Sequence, residues 1–334
     1  MKTGTDPRLA EHIDSVRGAL MARGRATRAE LSADTGLSTM TIGKLLAVME
    51  QRGEVSQDGT LRGGNGRPST VARYCGDYAH VATLTAEQKG GHSVFRFCVY
   101  DALGRPVHSS ERTIDDVRPR SFDVFFEEAA ARGERVRLAV FALPGEARGD
   151  CLFISDFERL SGDGFLPGIR RRWQVETLFE NDVNAAVYGH SFAETADGCA
   201  GIYFPRRFCP GAGLVLDGRI VHGHGNFAGE MTFLHGPQAW AELDYADTPR
   251  VAGMIVDLLT ALACTVAPQS TVLYGDFLTD ALMRMLEEGL RTRLHGQFDM
   301  RLSAQTEIGP DMERGARRLG LQGLRALLAG QDVR

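Results

Sequence analysis

Residues 27–52 read Thr-Arg-Ala-Glu-Leu-Ser-Ala-Asp-Thr-Gly-Leu-Ser-Thr-Met-Thr-Ile-Gly-Lys-Leu-Leu-Ala-Val-Met-Glu-Gln-Arg, the layout of a helix-turn-helix. Ala29, Leu31 and Ala33 give a first short helix its small and apolar faces. Gly36 permits a tight turn, because it has no Cβ to oppose a positive φ. Leu37 is expected as a buried plug in that turn. Ser38 is expected to cap the next helix by accepting a backbone N–H. Ile42, Leu45, Leu46 and Met49 repeat at helical spacing and form its inward face. Thr39, Met40, Thr41 and Lys44 remain at its exposed start, where such a motif meets base edges and phosphates. An ordinary helical hairpin has the same apolar pattern, so the flanking sequence has to separate the two.

Upstream, Leu9, Ile13, Val16 and Leu20 have helix spacing and predict the first of three helices. Downstream, Asp58-Gly59 is a hairpin-turn signal. A helix-turn-helix followed by a hairpin is a winged helix. The run Arg62-Gly63-Gly64-Asn65-Gly66-Arg67-Pro68 is too glycine-rich to pack. It either serves as a plain linker or lays Arg62 and Arg67 along a phosphate backbone or into a minor groove. Residues 1–75 carry a net charge of +3 and the rest of the chain −8. Nucleic acid responds to local positive charge, so the split fits a small DNA-binding unit on an acidic body.

From Tyr78 onward the pattern changes. His80–Thr85, Val94–Asp101 and a stretch near Pro106–Thr113 read as strands. A helix follows at about Phe122–Arg132, and a buried strand, Val136–Leu143, ends at Pro144-Gly145. Gln174–Phe179 reads as a strand, and Asn181–Phe192 as a helix headed by Asn-Asp. Residues 199–222 read as a hairpin turned at Asp217-Gly218. Helices at about Thr248–Ala267, Asp276–Leu294 and Pro310–Leu328 alternate with strands at Val272–Tyr274 and Met300–Ser303. Two successive blocks of strands and helices predict an α/β body of two lobes with a cleft between them.

At 334 residues the chain has room for two or three domains, and 43% hydrophobic content suffices for sizeable cores. The six cysteines form no Cys-x-x-Cys pair, which argues against a disulfide framework and a cysteine zinc knuckle. The polar N-terminus has no signal-like apolar region. Val251–Ala267 is apolar but contains Asp257 and stops before Pro268, so a buried helix is expected there rather than a membrane span. A bacterial-type cytoplasm and no membrane partner are the corresponding expectations.

Taken together, these stretches resemble the ROK family of repressors and sugar kinases. The resemblance rests on the winged helix joined through Gly66-Arg67-Pro68 to the α/β body, and on Pro144-Gly145 after an apolar strand. It rests further on Glu180-Asn181-Asp182-Val183-Asn184-Ala185-Ala186, on Gly211-Ala212-Gly213-Leu214 and on Gly223-His224-Gly225-Asn226-Phe227-Ala228-Gly229-Glu230. It runs from about residue 9 to residue 329 and implies a winged helix-turn-helix on a two-lobed actin-like, ribonuclease H-like ATPase-type body. The implied boundaries are 1–73 for the DNA-binding unit with its linker, 74–190 for lobe 1 completed by 310–330, and 191–309 for lobe 2.

The departures from the family pattern matter as much. A strand-borne Asp-x-Gly-Gly-Thr is replaced here by Thr83-Leu84-Thr85-Ala86-Glu87-Gln88-Lys89-Gly90. A second, glycine-rich phosphate loop is replaced by Phe204-Pro205-Arg206-Arg207-Phe208-Cys209-Pro210. Proline removes amide donors and bulky side chains block close backbone approach, so neither stretch suits a phosphate cradle. Arg206 and Arg207 read as solvated surface residues. The family's Gly and His after the glutamate are Thr232 and Phe233 here. The zinc-binding cysteine cluster is absent and His235 lacks partners at ligand spacing, so no structural zinc and no cofactor are expected.

The resemblance places Asp182 where family kinases hold their catalytic base, here a vestigial position. It makes Gly145, Asn181, Asp182 and Glu230 the candidate ligand-binding residues. An Asn-Asp pair at a helix start can equally act as a cap. His222 and His224 flank Gly223 as an i, i+2 pair and are expected at the surface, and Trp240 in a core or interface. The function implied is a sequence-specific regulator without kinase activity. Ser38, Thr39, Thr41, Lys44, Arg62 and Arg67 meet a double-stranded DNA operator. The body dimerises and senses a carbohydrate or other metabolite. The alternatives are an active carbohydrate kinase using Asp182 as base, and a regulator with no small-sugar effector.

Overall fold

The computed structural model describes residues 7–61, 69–154, 156–194, 198–206 and 209–331. Its N-terminal unit runs α1 (Pro7–Arg23), β1 (Arg25–Thr27), α2 (Arg28–Thr35), α3 (Thr39–Gln51), β2 (Val55–Leu61) and β3 (Ser69–Tyr74). The strands form an antiparallel sheet in the order β1-β3-β2. A capping box starts α2: Thr27 Oγ1 accepts the Glu30 N–H, and the Glu30 carboxylate accepts the Thr27 N–H at 2.7 Å. Gly36, at φ 71°, ends α2 by donating to the Ser32 carbonyl. Ser38 then caps α3 by accepting the Thr41 N–H at 3.1 Å. Ile42, Leu45, Leu46 and Met49 are buried with Ile13, Val16, Leu20 and Leu31 in one core.

Several details differ from the sequence reading. Ala29 and Ala33 are exposed, because residues two positions from Leu31 do not share its face of the helix. Leu37 is only half-buried, at the rim of the turn. Asp58-Gly59 is not the hairpin turn. The strand β2 pairs with β3 at Val55–Gln57 and again at Thr60–Leu61, so the dipeptide forms a bulge inside the strand. Arg62 and Arg67, with the Gly66-Arg67-Pro68 junction, lie outside the described residues.

The body follows with β4 (His80–Lys89), β5 (His92–Asp101), β6 (Pro106–Thr113), α4 (Asp123–Ala131) and β7 (Val136–Leu143). Next come β8 (Glu146–Arg148), β9 (Cys151–Phe153), α5 (Phe165–Trp173), β10 (Glu176–Asn181) and α6 (Asp182–Glu194). The second half is β11 (Gly198–Tyr203), β12 (Gly211–Leu216), β13 (Arg219–Ile220), α7 (Pro237–Ala241), α8 (Thr248–Thr265), β14 (Ser270–Tyr274), α9 (Asp280–Arg293), β15 (Arg301–Gln305) and α10 (Gly309–Leu328). One sheet is ordered β10-β7-β4-β5-β6 and the other β15-β14-β11-β12-β13. Both thus repeat one topology, in which the last two strands lie parallel beside the first and the second and third continue antiparallel.

Each sheet has its own outer core. Phe95, Phe97, Phe122, Phe125, Phe141 and Phe165 fill the first, under α4 and α5. In the second, α8 and α9 bury Val251, Ile255, Leu258, Leu259, Leu286 and Leu290. Helix α8 is long and apolar enough to cross a membrane by length and composition alone, yet these α8 side chains are packed inside the protein.

Helices α6 and α10 form the layer between the sheets. A Cβ on Gly189 would lie 2.0 Å from the Asp311 carbonyl oxygen, so the two backbones touch. Farther along α10, Gly320 and Gly323 let the helix settle on Val81 and Leu138 of the first sheet. The start of α10 is tied to the second sheet: Asp311 Oδ2 accepts from Tyr274 at 2.8 Å and lies 2.9 Å from His190 Nδ1. At its far end, Arg325 lies against Gly18 of α1.

Candidate functional site

Between the sheets lies a cleft of about 580 Å³, and Gly145, Asn181, Asp182 and Glu230 all line it. Gly145 follows β7 at φ 109°, and a Cβ there would sit 2.5 Å from the Phe153 carbonyl oxygen. Only glycine fits such a position. Asn181 ends β10. Its Nδ2 donates to the Gly145 carbonyl at 3.2 Å, while its Oδ1 accepts the Val183 N–H at 2.9 Å and the Asn184 N–H at 3.1 Å. Asn181 therefore caps α6 and pins the Pro144-Gly145 loop with the same amide.

Asp182 is 9% exposed, and its Oδ1 accepts the Val183 N–H at 2.9 Å. Burial pushes its carboxyl up to about 6, and Asp156 adds repulsion. Glu230 sits in the loop after β13. Burial raises its carboxyl as well, with Glu146 as a like-charged neighbour. Two acids that line the cleft are thus both raised from their ordinary values.

Sequence reasoning missed the bonds that join the two sheets across this cleft. His222 Nε2 lies 2.9 Å from Glu180 Oε2, and Asn226 Nδ2 donates to the Ala147 carbonyl at 2.7 Å. The Glu180 hydrogen bond raises the His222 pKa against the opposing effect of burial. Glu180 Oε1 also accepts from Asn181 N and Asn184 Nδ2. These partners are 42 and 79 residues apart, so no local spacing announces them. His224 is exposed as expected. Trp240 is buried against Phe204 and His235.

Beside the cleft, a hollow of about 400 Å³ is lined by Lys89, Gly90, Gly91, Arg206, Gly275 and Asp276 among others. Its β4–β5 turn contains two glycines at positive φ, Gly90 and Gly91, which the sequence reading did not weigh. Arg206 is an exposed surface arginine, as expected, and it is also engaged by neighbours. It pairs with Asp276 at 2.7 Å and stacks over Tyr245 and Phe277 at 5.0 and 5.6 Å. Glu87 pairs with Lys89 at 3.4 Å. Arg207 lies outside the described residues.

A second surface stands apart from the cleft. The start of α3 exposes Ser38, Thr39, Met40 and Lys44, with Met40 at 74% exposure. Thr41 is half-buried, its hydroxyl 2.9 Å from that of Ser38. Lys44 has no carboxylate within ion-pair distance among the described residues. The exposed Arg28 lies against Gly43 and extends the basic face, a neighbour the linear pattern did not suggest.

A crystal structure described as a ROK family transcriptional regulator, homolog of the E. coli MLC protein, matches with TM-score 0.66 at 14% identity, covering 97% of this chain and 99% of its own. A ROK hexokinase from Thermus thermophilus matches with TM-score 0.58 at 17% identity, covering 74% and 99%. A ROK family protein from Streptococcus pneumoniae, in complex with sucrose, matches with TM-score 0.57 at 11% identity, covering 74% and 99%. The chain has the fold of ROK proteins. No family model and no curated protein matches the sequence.

Proposed function

We propose that this protein is a ROK-type DNA-binding transcription regulator whose body senses an effector and has lost kinase chemistry. The observation that carries the reading is the unburied start of α3, a capped helix offering Ser38, Thr39, Thr41 and Lys44 to solvent beside Arg28. In this reading residues 1–73 form a winged helix, with α3 in the major groove and Arg62 and Arg67 on phosphates or in the minor groove. Residues 74–190 with 310–330, and 191–309, form the two lobes. The regulator structure spans nearly the whole chain, whereas the hexokinase leaves about a quarter of it uncovered, which favours a regulator over an enzyme.

The hollow beside the cleft supports the loss of catalysis. Its arginine is engaged by Asp276 and two rings, and its glutamate by Lys89, which leaves little to hold nucleotide phosphates. The kinase reading keeps one favourable observation, the buried Asp182 with its raised pKa. Sugar-dependent ADP release, abolished in Asp182→Asn, would establish it.

A homodimer would present two α3 helices to half-sites one DNA turn apart, or a multiple of it. The effector is a carbohydrate or another metabolite in the cleft. Helix α10 offers the route between the two sites, since Ile308 at its head lines the cleft and Arg325 near its end meets α1. Such coupling is reciprocal, so DNA and effector alter each other's affinity by the same factor. The test is selection of sites from a random duplex pool, followed by salt titration. A two-fold symmetric site with a steep salt slope supports the reading, and no enrichment over random DNA removes it.

A further inference from the structure

Glycine is the poorest helix former after proline, yet Gly43 stands inside α3. Its missing side chain leaves room for a neighbour. A Cβ there would lie 3.1 Å from Arg28 Nη1 and 3.3 Å from its Cζ, closer than side chains normally pack. The Arg28 guanidinium, reaching over from the first residue of α2, is thus laid on the surface of α3. Arg28 is exposed, and no carboxylate lies within ion-pair distance of it among the described residues. Acids of the same unit are engaged elsewhere. Glu30 closes the capping box with Thr27, Asp34 pairs with Arg23, Glu54 with Arg17, and Asp58 with Arg25 at 3.7 Å. The planar fork of Arg28 is seated but not neutralised.

Met40 is a second observation, made on the same face. It is the most exposed large apolar side chain among the described residues, and it stands one turn before Gly43. Its neighbours turn inward: the Ser38 and Thr41 hydroxyls are 2.9 Å apart, and Ser38 also takes the Thr41 N–H. Lys44 and Ala47 complete the outward strip, both exposed. With no Cβ at position 43 and only a methyl at 47, the backbone of α3 can come close to a surface laid against it. An apolar group beside a planar fork matches two marks of the DNA major groove. The thymine methyl is an apolar mark there, and guanine O6 and N7 accept two parallel N–H donors from arginine. A phosphate asks chiefly for charge, which Lys44 supplies. A seat that fixes the plane of a guanidinium suits a base edge.

We propose that Met40 and Arg28 read neighbouring base pairs of the operator, a thymine methyl against Met40 and a guanine edge against Arg28, with Gly43 as the positioning residue that seats the fork. The proposal rests on the regulator reading and narrows it. In the test, the full-length protein first selects duplexes from a random pool. The selected duplex is then rebuilt with uracil for one thymine at a time, which removes the methyl alone. It is also rebuilt with 7-deazaguanine for one guanine at a time, which removes the N7 acceptor alone.

Loss of the methyl from one thymine per half-site should weaken binding roughly threefold or more, and loss of N7 from a guanine in a neighbouring base pair about tenfold. Met40→Ala should abolish the methyl effect and keep the N7 effect. Arg28→Ala should abolish the N7 effect and leave the salt slope nearly unchanged, whereas a phosphate contact would lower the slope and leave the N7 effect intact. Gly43→Ala, a better helix former, should melt no lower than the parent yet weaken the N7 effect with Arg28 still present. A selected site in which no thymine methyl matters, a methyl effect that survives Met40→Ala, or an N7 effect that survives Arg28→Ala or Gly43→Ala would overturn the proposal. A protein that selects a site but shows these results fails only the narrower claim. One that selects no site loses the regulator reading and this proposal together.

Discussion

Gly315 of α10 lies so close to Ala185 of α6 that a Cβ on the glycine would stand 1.8 Å from the alanine's carbonyl oxygen. Gly315→Ala forces the two helices apart, and overpacking of this kind costs about 3 kcal/mol. Gly253 of α8 is the control, with nothing within 4 Å of its Cβ position. Gly253→Ala should be neutral or stabilising by up to ~1 kcal/mol, since alanine favours helix. Urea unfolding of both variants checks the pair, and a harmless Gly315→Ala would mean that the crossing is looser than described.

Asp182 yields a prediction with a sign that separates its two readings. Its folded-state pKa of about 6 lies above the ordinary 3.8, so the folded protein holds the proton more tightly than the unfolded chain. Stability therefore falls as pH rises between those values and is level above them. Asp182→Asn should stabilise the protein at pH 7 by on the order of 2 kcal/mol, with the gain vanishing below about pH 4. If the substitution destabilises at pH 7, the aspartate serves α6 as a cap and not the cleft as a ligand group.

Lys44→Ala should weaken operator binding and lower the slope of log K against log salt by about one unit, the release of one phosphate contact. Binding to unrelated DNA should fall in proportion. An unchanged slope would take Lys44 out of the interface.

The His222–Glu180 pair makes the junction between the sheets sensitive to pH. The His222 pKa is raised above 6.5 by the Glu180 hydrogen bond, so the ionic form of the pair is fully present below 6.5. It is lost as pH rises through the raised value. Amide exchange around Ala147 and Asn226 should accelerate over that interval, and His222→Gln should flatten the response. Exchange independent of pH-specific opening in both proteins would show that the pair does not hold the lobes.

Much of the architecture could be read along the chain because its signals are local. The apolar spacing from Ile42 to Met49 marks α3, the apolar run of Val136–Leu143 marks β7, and Asp217-Gly218 marks the turn between β12 and β13. Asp58-Gly59 misled because a bulge requires the same positive φ, here 81° at Gly59, as a hairpin turn. Helix α5 and the β8–β9 hairpin left no periodicity long enough to notice. Motif resemblance picked out Gly145, Asn181, Asp182 and Glu230, which the fold brings to one cleft. The partners that shape their surroundings, Glu180 with His222 and Asn226 with Ala147, arise only when distant strands meet.

Helix α10 also fixes an order of events during synthesis. The first sheet begins at β4, but the helix that seats Gly320 on Val81 and Gly323 on Leu138 is made only after the whole second sheet. Until then an emerging chain leaves one apolar face of β4 and β7 unfinished, open to other sticky surfaces. Contacts of such long sequence separation close slowly. Fragments that stop short of α10 should therefore be poor soluble pieces, however complete their own strands and helices look, and cutting the gene between the lobes would not yield two independent modules.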